Sequence, residues 1–111
     1  MGLWEERAAR NEALFREVNE QAESLAERHG RAAGGELGLV CECSNAACTE
    51  RLWLSLAVYE AVRSDPRQFV VVPGHENSFE HVVEHNPGYS IVKKDGSAGR
   101  LAEQTDPRSG P

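Results

Sequence analysis

Three cysteines lie within eight residues of one another in the stretch CECSNAAC, and the rest of the chain contains none. They are Cys41, Cys43 and Cys48. A disulfide between Cys41 and Cys43 would close a very tight and strained ring, and an odd number of thiols leaves one unpaired. Clustered thiolates in a reducing compartment are the ligands that a borderline-soft metal ion such as zinc selects. The stretch therefore predicts a zinc site.

The spacing of the cysteines suits a tetrahedral site. Alternate side chains of an extended segment lie on the same face, so the sulfur atoms of Cys41 and Cys43 point the same way. Their separation can then approach the roughly 3.8 Å that zinc–sulfur bonds of about 2.3 Å require in a tetrahedron. Residues 44–47 are small or turn-forming, so the chain can reverse there and bring in Cys48. We also expect backbone N–H groups of this loop to point at the sulfurs.

A tetrahedral zinc site needs a fourth ligand, and the histidines of the chain are His29, His75, His81 and His85. His75 follows a strand-like apolar segment and a Pro-Gly turn in the stretch VVVPGHEN. This pattern predicts a rigid exit from the strand with the imidazole ring exposed. We therefore predict His75 as the fourth ligand. His81 or His85 is the alternative, followed by a water molecule, an acidic side chain or no fourth ligand.

Three classes of function fit the ligand set: its completeness separates a structural module from a zinc hydrolase, and only thiol reactivity separates a structural module from a redox sensor. Three thiolates and His75 fill a tetrahedron, and closed sites of this kind are structural as a rule. An open coordination position would instead allow a zinc hydrolase with Glu42 or Glu76 as general base. Otherwise we expect Glu42, Glu76 and Glu80 to be solvated surface carboxylates. The third class is a redox sensor, in which oxidation of the thiols expels zinc. We expect the first, a non-enzymatic, zinc-stabilised protein-interaction module.

Length and composition limit the remaining alternatives. A chain of 111 residues with 40 % hydrophobic residues suits one domain with a modest core that a metal would help to stabilise. The formal net charge of −6 argues against a nucleic-acid-binding protein. No apolar run approaches the roughly 20 residues of a membrane span, and the opening residues MGLWEE do not resemble a secretion signal. We therefore expect a cytoplasmic protein.

Composition divides the chain into four segments. Residues 1–29 are rich in Glu, Arg, Ala and Leu, lack glycine and proline after residue 2, and predict one long amphipathic helix. Residues 30–38, GRAAGGELG, carry four glycines and predict a linker. Residues 39–94 hold nearly all the remaining large apolar side chains and predict the compact zinc-binding module. Residues 95–111 are small, polar and interrupted by Gly and Pro, which predicts a disordered tail.

The module is predicted to be α+β, with short antiparallel strands and one helix. Strands are predicted at 37–43, 51–54, 68–72, 79–84 and 89–94 from β-branched and aromatic residues bounded by turn residues. Ser55 is predicted to cap a helix over 56–64. We expect Trp53 and Tyr59 to be core residues, as single aromatic side chains in a small apolar module usually are.

The N-terminal helix carries a seam of seven residues spaced alternately by four and three. Such spacing gives a continuous face along a helix, and a single polar member, here Asn11, can set register and oligomer number. We keep two alternatives: the seam packs on the module of its own chain, or it contacts a partner protein or a second copy. The seam consists of Trp4, Ala8, Asn11, Phe15, Val18, Ala22 and Leu25.

These motifs together resemble a family of small, uncharacterised proteins common in actinobacteria. The resemblance is carried by CECSNAACTERLWLSLAVYEAVRSDPRQFVVVPGHE, by HVVEHNPGYSIVKK and by RNEALFREVNE. The family pattern is C-E-C-x4-C, an L-x-x-Y-E-x-V-R helix and F-V-V-x-P-G-H. The resemblance implies that Cys41, Cys43, Cys48 and His75 belong to one shared module, and it implies no activity. The chain departs from the pattern at residues 77–78 and at 81, outside the four ligands.

Overall fold

The computed structural model describes residues 2–28 and 36–108. Within them the chain is α+β, as predicted. Its elements, in chain order, are α1 (Leu3–Arg28), β1 (Glu36–Val40), β2 (Arg51–Ser55), α2 (Leu56–Arg63), β3 (Gln68–Val71), β4 (Glu80–Asn86), β5 (Tyr89–Lys94) and α3 (Gly96–Gln104). Across this described part of the chain, no helix combines the length and apolar character needed to cross a membrane.

Helix α1 packs on the rest of the chain through a largely polar face. Its buried residues recur every three or four positions and include three charged side chains and an asparagine: Ala8, Ala9, Glu12, Arg16, Asn19, Glu23 and Ala26. Its exposed large apolar residues, which we call the outer stripe, are Leu3, Trp4, Leu14, Val18 and Leu25. The helix therefore turns its polar face inward and much of its apolar surface outward.

The predicted seam does not coincide with the buried face. Of its seven residues only Ala8 is buried, whereas Trp4, Val18 and Leu25 are exposed and the other three are half-buried. The helix does pack within its own chain, but the face that does so lies to one side of the seam. The polar residues of the buried face find partners on other elements, and this outweighs the usual preference for burying apolar side chains.

The first sheet contains β1 and β2, which pair antiparallel with Gly38 opposite Trp53. Leucines on alternate positions of both strands face the core, and this alternation places Trp53 on the outer face, where it is 60 % exposed. The prediction of Trp53 as a core residue was therefore wrong. Its ring covers Gly38, where an added Cβ would lie 2.7 Å from the indole. Tyr59 is fully buried, as predicted.

Helix α2 begins where the sequence predicts. The Oγ of Ser55 accepts a hydrogen bond from the N–H of Val58 at 3.1 Å, which satisfies one free donor of the first turn. The second sheet has the order β3-β5-β4, all antiparallel. A two-residue turn at Pro87-Gly88 joins β4 to β5, and Gly88 has a φ of 87°, which glycine adopts without strain. The core around Tyr59 lies between α2 and the two sheets.

The C-terminal segment departs from prediction. Residues 96–104 form α3, which packs against α1 and β5, so the expectation of a disordered tail was wrong for this part. The small residues that looked like helix breakers allow close packing: a Cβ at Gly99 would lie 2.7 Å from the Arg67 guanidinium. Arg16 of α1 donates a hydrogen bond to the carbonyl of Ala102 at 2.7 Å, which fixes α3 on α1. Residues 109–111 lie outside the described residues.

The prediction of a linker over residues 30–38 is wrong for residues 36–38, and its remaining residues lie outside the described part of the chain. Glu36, Leu37 and Gly38 belong to β1, so the compact part begins earlier than the predicted boundary at residue 39. Residues 29–35, which include His29, lie outside the described residues. Strand β1 ends at Val40 rather than at residue 43, because the chain leaves β2 there and passes to β3.

Candidate metal centre

The four residues predicted as ligands come together in the structure. One ligand atom from each of Cys41, Cys43, Cys48 and His75 lies within 4.8 Å of all the others. The Nδ1 of His75 is 3.5 Å from the Cys41 sulfur and 3.8 Å from the Cys48 sulfur. Zinc–sulfur and zinc–nitrogen bonds of ordinary length in a tetrahedron place sulfur and nitrogen about 3.6 Å apart. The cluster therefore has the dimensions of a four-coordinate metal site.

The cysteine pair is positioned by a change of strand partner. The N–H of Cys41 donates to the carbonyl of Glu50 at 3.2 Å, and the N–H of Glu42 donates to the carbonyl of Val70 at 2.8 Å. The chain thus passes from β2 to β3 between these two residues while staying extended. Cys41 and Cys43 both lie buried in the core around Phe69, on the same side of the chain, as the alternation predicts.

The loop between the cysteines reverses the chain through Asn45. The side-chain oxygen of Asn45 accepts a hydrogen bond from the N–H of Ala47 at 3.0 Å. The backbone carbonyl of Asn45 accepts one from the N–H of Cys48 at 3.0 Å. Asn11 of α1 holds the start of this loop by donating to the Ser44 carbonyl at 3.0 Å. The predicted N–H group at a sulfur comes from another element: the N–H of Val72 donates to the Cys41 sulfur at 3.1 Å.

His75 is presented by the turn that follows β3. Its N–H donates to the carbonyl of Val72 at 3.0 Å, and Gly74 has a φ of 93°, which the turn requires. While Nδ1 faces the sulfurs, Nε2 lies 2.9 Å from a carboxylate oxygen of Glu50. A carboxylate on the far nitrogen of a histidine ligand fixes its tautomer and orientation and makes it a better donor. Glu50 would therefore position His75 if the cluster holds a metal ion.

Sequence reasoning missed Glu50. The chain has 18 acidic residues, and nothing in its composition distinguishes this one. The usable signal was its place two residues after Cys48 and just before β2, where its carbonyl accepts a hydrogen bond from the N–H of Cys41. The alternative ligands His81 and His85 are not part of the cluster. His81 lies instead 2.8 Å from Asp95 through its Nδ1.

The carboxylates considered as general bases have other roles. Glu42 is fully buried and accepts hydrogen bonds from the Val70 N–H at 3.0 Å and the Asn19 amide at 2.7 Å. Burial raises the pKa of Glu42 to about 7, against the effect of these two donors. Glu80 is buried and paired with Lys94, so neither is the solvated carboxylate that was predicted. Glu76 is exposed and accepts from the Gly74 N–H at 3.1 Å.

The buried environment of Cys41 and Cys43 keeps these thiols protonated when no cation is bound. Burial raises the pKa of the Cys41 and Cys43 thiols, and the N–H of Val72 partly opposes this shift at Cys41. A metal ion must therefore displace thiol protons that the buried site otherwise retains. Three sulfur donors and one imidazole are the set that borderline-soft divalent ions prefer. The residues fit a metal ion of the zinc type.

A second group of carboxylates has a different explanation. Ligand atoms of Glu23, Glu27 and Glu60 also lie within 4.8 Å of one another. The guanidinium of Arg108 contacts Glu60 at 2.6 Å and Glu23 at 3.1 Å. An arginine already pairs with two of these three carboxylates, so the group by itself indicates an ion-pair network between α1, α2 and the C-terminal segment.

Comparison with known proteins gives no relative: no protein-family model, no curated protein and no solved structure matches the chain. The resemblance to the actinobacterial family therefore stays a prediction, and function has to be inferred from the site itself.

Proposed function

We propose that this chain is a zinc-stabilised, non-enzymatic protein-interaction module. The observation that carries the proposal is the convergence of Cys41, Cys43, Cys48 and His75 to within 4.8 Å. Four protein ligands complete a tetrahedral zinc site and leave no position for a reactive water molecule. A reducing cytoplasm, which we propose as the compartment, keeps the three thiols available to the metal.

The position of the site supports a structural role for the metal. Its ligands come from the end of β1, from the loop before β2 and from the turn after β3, so a bound ion would join the two sheets. Cys41 and Cys43 are also core residues in contact with the cluster around Phe69. A structural zinc ion can contribute roughly 10 kcal/mol or more of folding free energy. A small core of this kind would depend on such a contribution.

The distribution of apolar surface supports interaction with another protein chain. The outer stripe of α1 is exposed, although the same helix buries charged residues on its other side. Exposed apolar surface of this extent on a soluble domain usually marks a contact surface. The carboxylates near the site support the non-enzymatic reading, because Glu42 accepts hydrogen bonds from Val70 and Asn19 rather than facing the sulfurs.

Hydrolysis assays on the zinc-loaded full chain test the non-enzymatic part of the proposal. We expect no ester or amide hydrolysis beyond that of the same concentration of free zinc. Zinc-dependent turnover that is lost in Glu76→Gln, with the metal retained, would overturn the proposal. The matched control is Glu84→Gln, an exposed carboxylate on β4 outside the metal cluster.

A thiol sensor is the second candidate, and the partial exposure of Cys48 favours it. Cys48 is half-buried, whereas Cys41 and Cys43 are buried, so an oxidant can reach one sulfur directly. A sensor would release zinc at about one equivalent of peroxide and recover it after reduction. A purely structural site would keep its zinc at that dose, as a colorimetric zinc indicator would show.

A further inference from the structure

We propose that the outer stripe of α1 pairs with the outer stripe of a second copy of this chain, with the two helices antiparallel. This inference rests on the proposed function, because it names the partner of the interaction module. It is carried by the apolar residues of the stripe and by the charges beside them. The stripe contains Leu3, Trp4, Leu14, Val18 and Leu25.

The geometry of α1 leaves the stripe accessible to a second chain. Leu14, Val18 and Leu25 are separated by four and seven residues, so they lie along one face of the helix. The face that carries Glu12, Asn19 and the other buried residues lies on the far side. A second copy could therefore dock on the stripe without displacing the contacts of the buried face.

The charges beside the stripe favour an antiparallel pair. Arg10 and Glu17 are exposed and lie on the same flank, four residues before and three residues after Leu14. A twofold axis close to Leu14 brings Arg10 of each copy to Glu17 of the other. In a parallel pair in register, the same flank of the two helices lies on opposite sides of the interface, so Arg10 of one copy would not meet Glu17 of the other.

The contact that Arg10 makes within its own chain does not prevent this pairing. Arg10 forms an ion pair with Glu6, one helical turn earlier, on the exposed surface of α1. Exposed pairs of this kind contribute little to stability, because solvent and salt screen them. Glu17 accepts a hydrogen bond from Gln21 at the long distance of 3.5 Å. Both charged groups can therefore be shared with a second copy at small cost.

The size of the stripe indicates the strength of the pair. Its five exposed side chains together present apolar surface on the order of 500 Å². With its polar flanks the surface approaches the roughly 800 Å² per partner of standard interfaces. A surface of this size is enough for a dimer that forms within the micromolar to millimolar range of the test.

Sedimentation of the zinc-loaded full chain tests the pairing, because it gives the molecular mass at protein concentrations from micromolar to millimolar. We expect a monomer–dimer equilibrium that Val18→Glu weakens at least tenfold. Val83→Glu is the matched control, because Val83 of β4 is 44 % exposed and Val18 is 45 % exposed. Leu14→Glu provides a second variant near the expected twofold axis. Circular dichroism and zinc content show whether each variant is folded.

Charge exchange tests the antiparallel orientation. At low salt, Arg10→Glu or Glu17→Arg alone should weaken the dimer several-fold, because each creates two like-charge contacts. The double change R10E/E17R should restore it, and high salt should remove the differences. A dimer that neither single change weakens, or that the double change fails to restore, would overturn the antiparallel pairing.

The failure of this inference can be told apart from failure of the proposed function. A chain that binds one zinc and stays monomeric at millimolar concentration would overturn pairing with a second copy, as would dimerisation that Val83→Glu disrupts and Val18→Glu does not. Either result would leave the zinc module intact. Absence of a metal site would instead overturn the proposed function.

Discussion

The polar interface between α1 and β1 predicts a large effect of the substitution Asn19→Ala. Asn19 is buried and uses its whole amide. Its nitrogen donates to the Val40 carbonyl at 2.9 Å and to the Glu42 carboxylate at 2.7 Å, and its oxygen accepts from the Val40 N–H at 2.9 Å. The side chain thus takes the place of a neighbouring strand along the free edge of β1, and it also satisfies the buried carboxylate beside the cysteines.

The expected cost follows from these three hydrogen bonds. A neutral intramolecular hydrogen bond contributes about 0.5–1.5 kcal/mol, and one to a charged group contributes about 1.5–3 kcal/mol. Alanine leaves the buried Glu42 carboxylate and the half-buried N–H and carbonyl of Val40 without these hydrogen bonds. We therefore expect Asn19→Ala to lower the free energy of unfolding by about 3–5 kcal/mol, a large part of the 5–15 kcal/mol typical of a domain.

Urea unfolding of the zinc-loaded chain, followed by circular dichroism, measures this cost. The matched control is Gln21→Ala, which removes another amide from α1 at an exposed position and should change stability by less than about 0.5 kcal/mol. A loss below 1 kcal/mol for Asn19→Ala, or equal losses for both variants, would show that the polar face of α1 is not a specific interface.

Three further predictions concern a buried acid, the positioning carboxylate and the metal. Burial raises the pKa of Glu12 to about 8 from 4.5, so the folded chain retains a proton that the unfolded chain releases. The free energy of unfolding should therefore fall as pH rises from about 4.5 to about 8, by up to about 1.4 kcal/mol per pH unit. Glu12→Gln should make the free energy of unfolding, measured by urea titration, less dependent on pH. Glu50→Gln should weaken zinc affinity about tenfold in a chelator competition without unfolding the chain, whereas an unchanged affinity would remove Glu50 from the site. Zinc removal should unfold residues 39–94 and leave residual helix in α1, and amide resonances that stay dispersed across 39–94 would contradict this.

Much of the fold could be predicted because its signals are local. Ser55 caps α2 through its own side chain, and the alternation of Cys41 and Cys43 follows from an extended backbone. The clustering of Cys41, Cys43, Cys48 and His75 was predictable for the same reason, since a Pro-Gly turn before His75 fixes where its ring emerges. Such signals depend on a few neighbouring residues and can therefore be recognised in the sequence alone.

The features that could not be predicted depend on contacts between distant residues. The inward face of α1 is polar because Arg16 bonds to the carbonyls of Pro66 and Ala102, 50 and 86 residues away. Lys94 similarly meets Glu12 across 82 residues. Helix α3 resembled a tail because its small residues serve close packing, and Glu50 acquires its role only once β2 brings it to His75. No periodicity along the chain reports these pairings.

Zinc stoichiometry and affinity in ligand variants test the central claim most directly. The full chain purified without chelator should contain one zinc ion, and His75→Asn should weaken zinc binding at least tenfold. His81→Asn, which changes a histidine outside the cluster, should leave zinc affinity unchanged. Metal content near zero, or equal zinc affinity in the two histidine variants, would contradict the assignment of Cys41, Cys43, Cys48 and His75 as a zinc site.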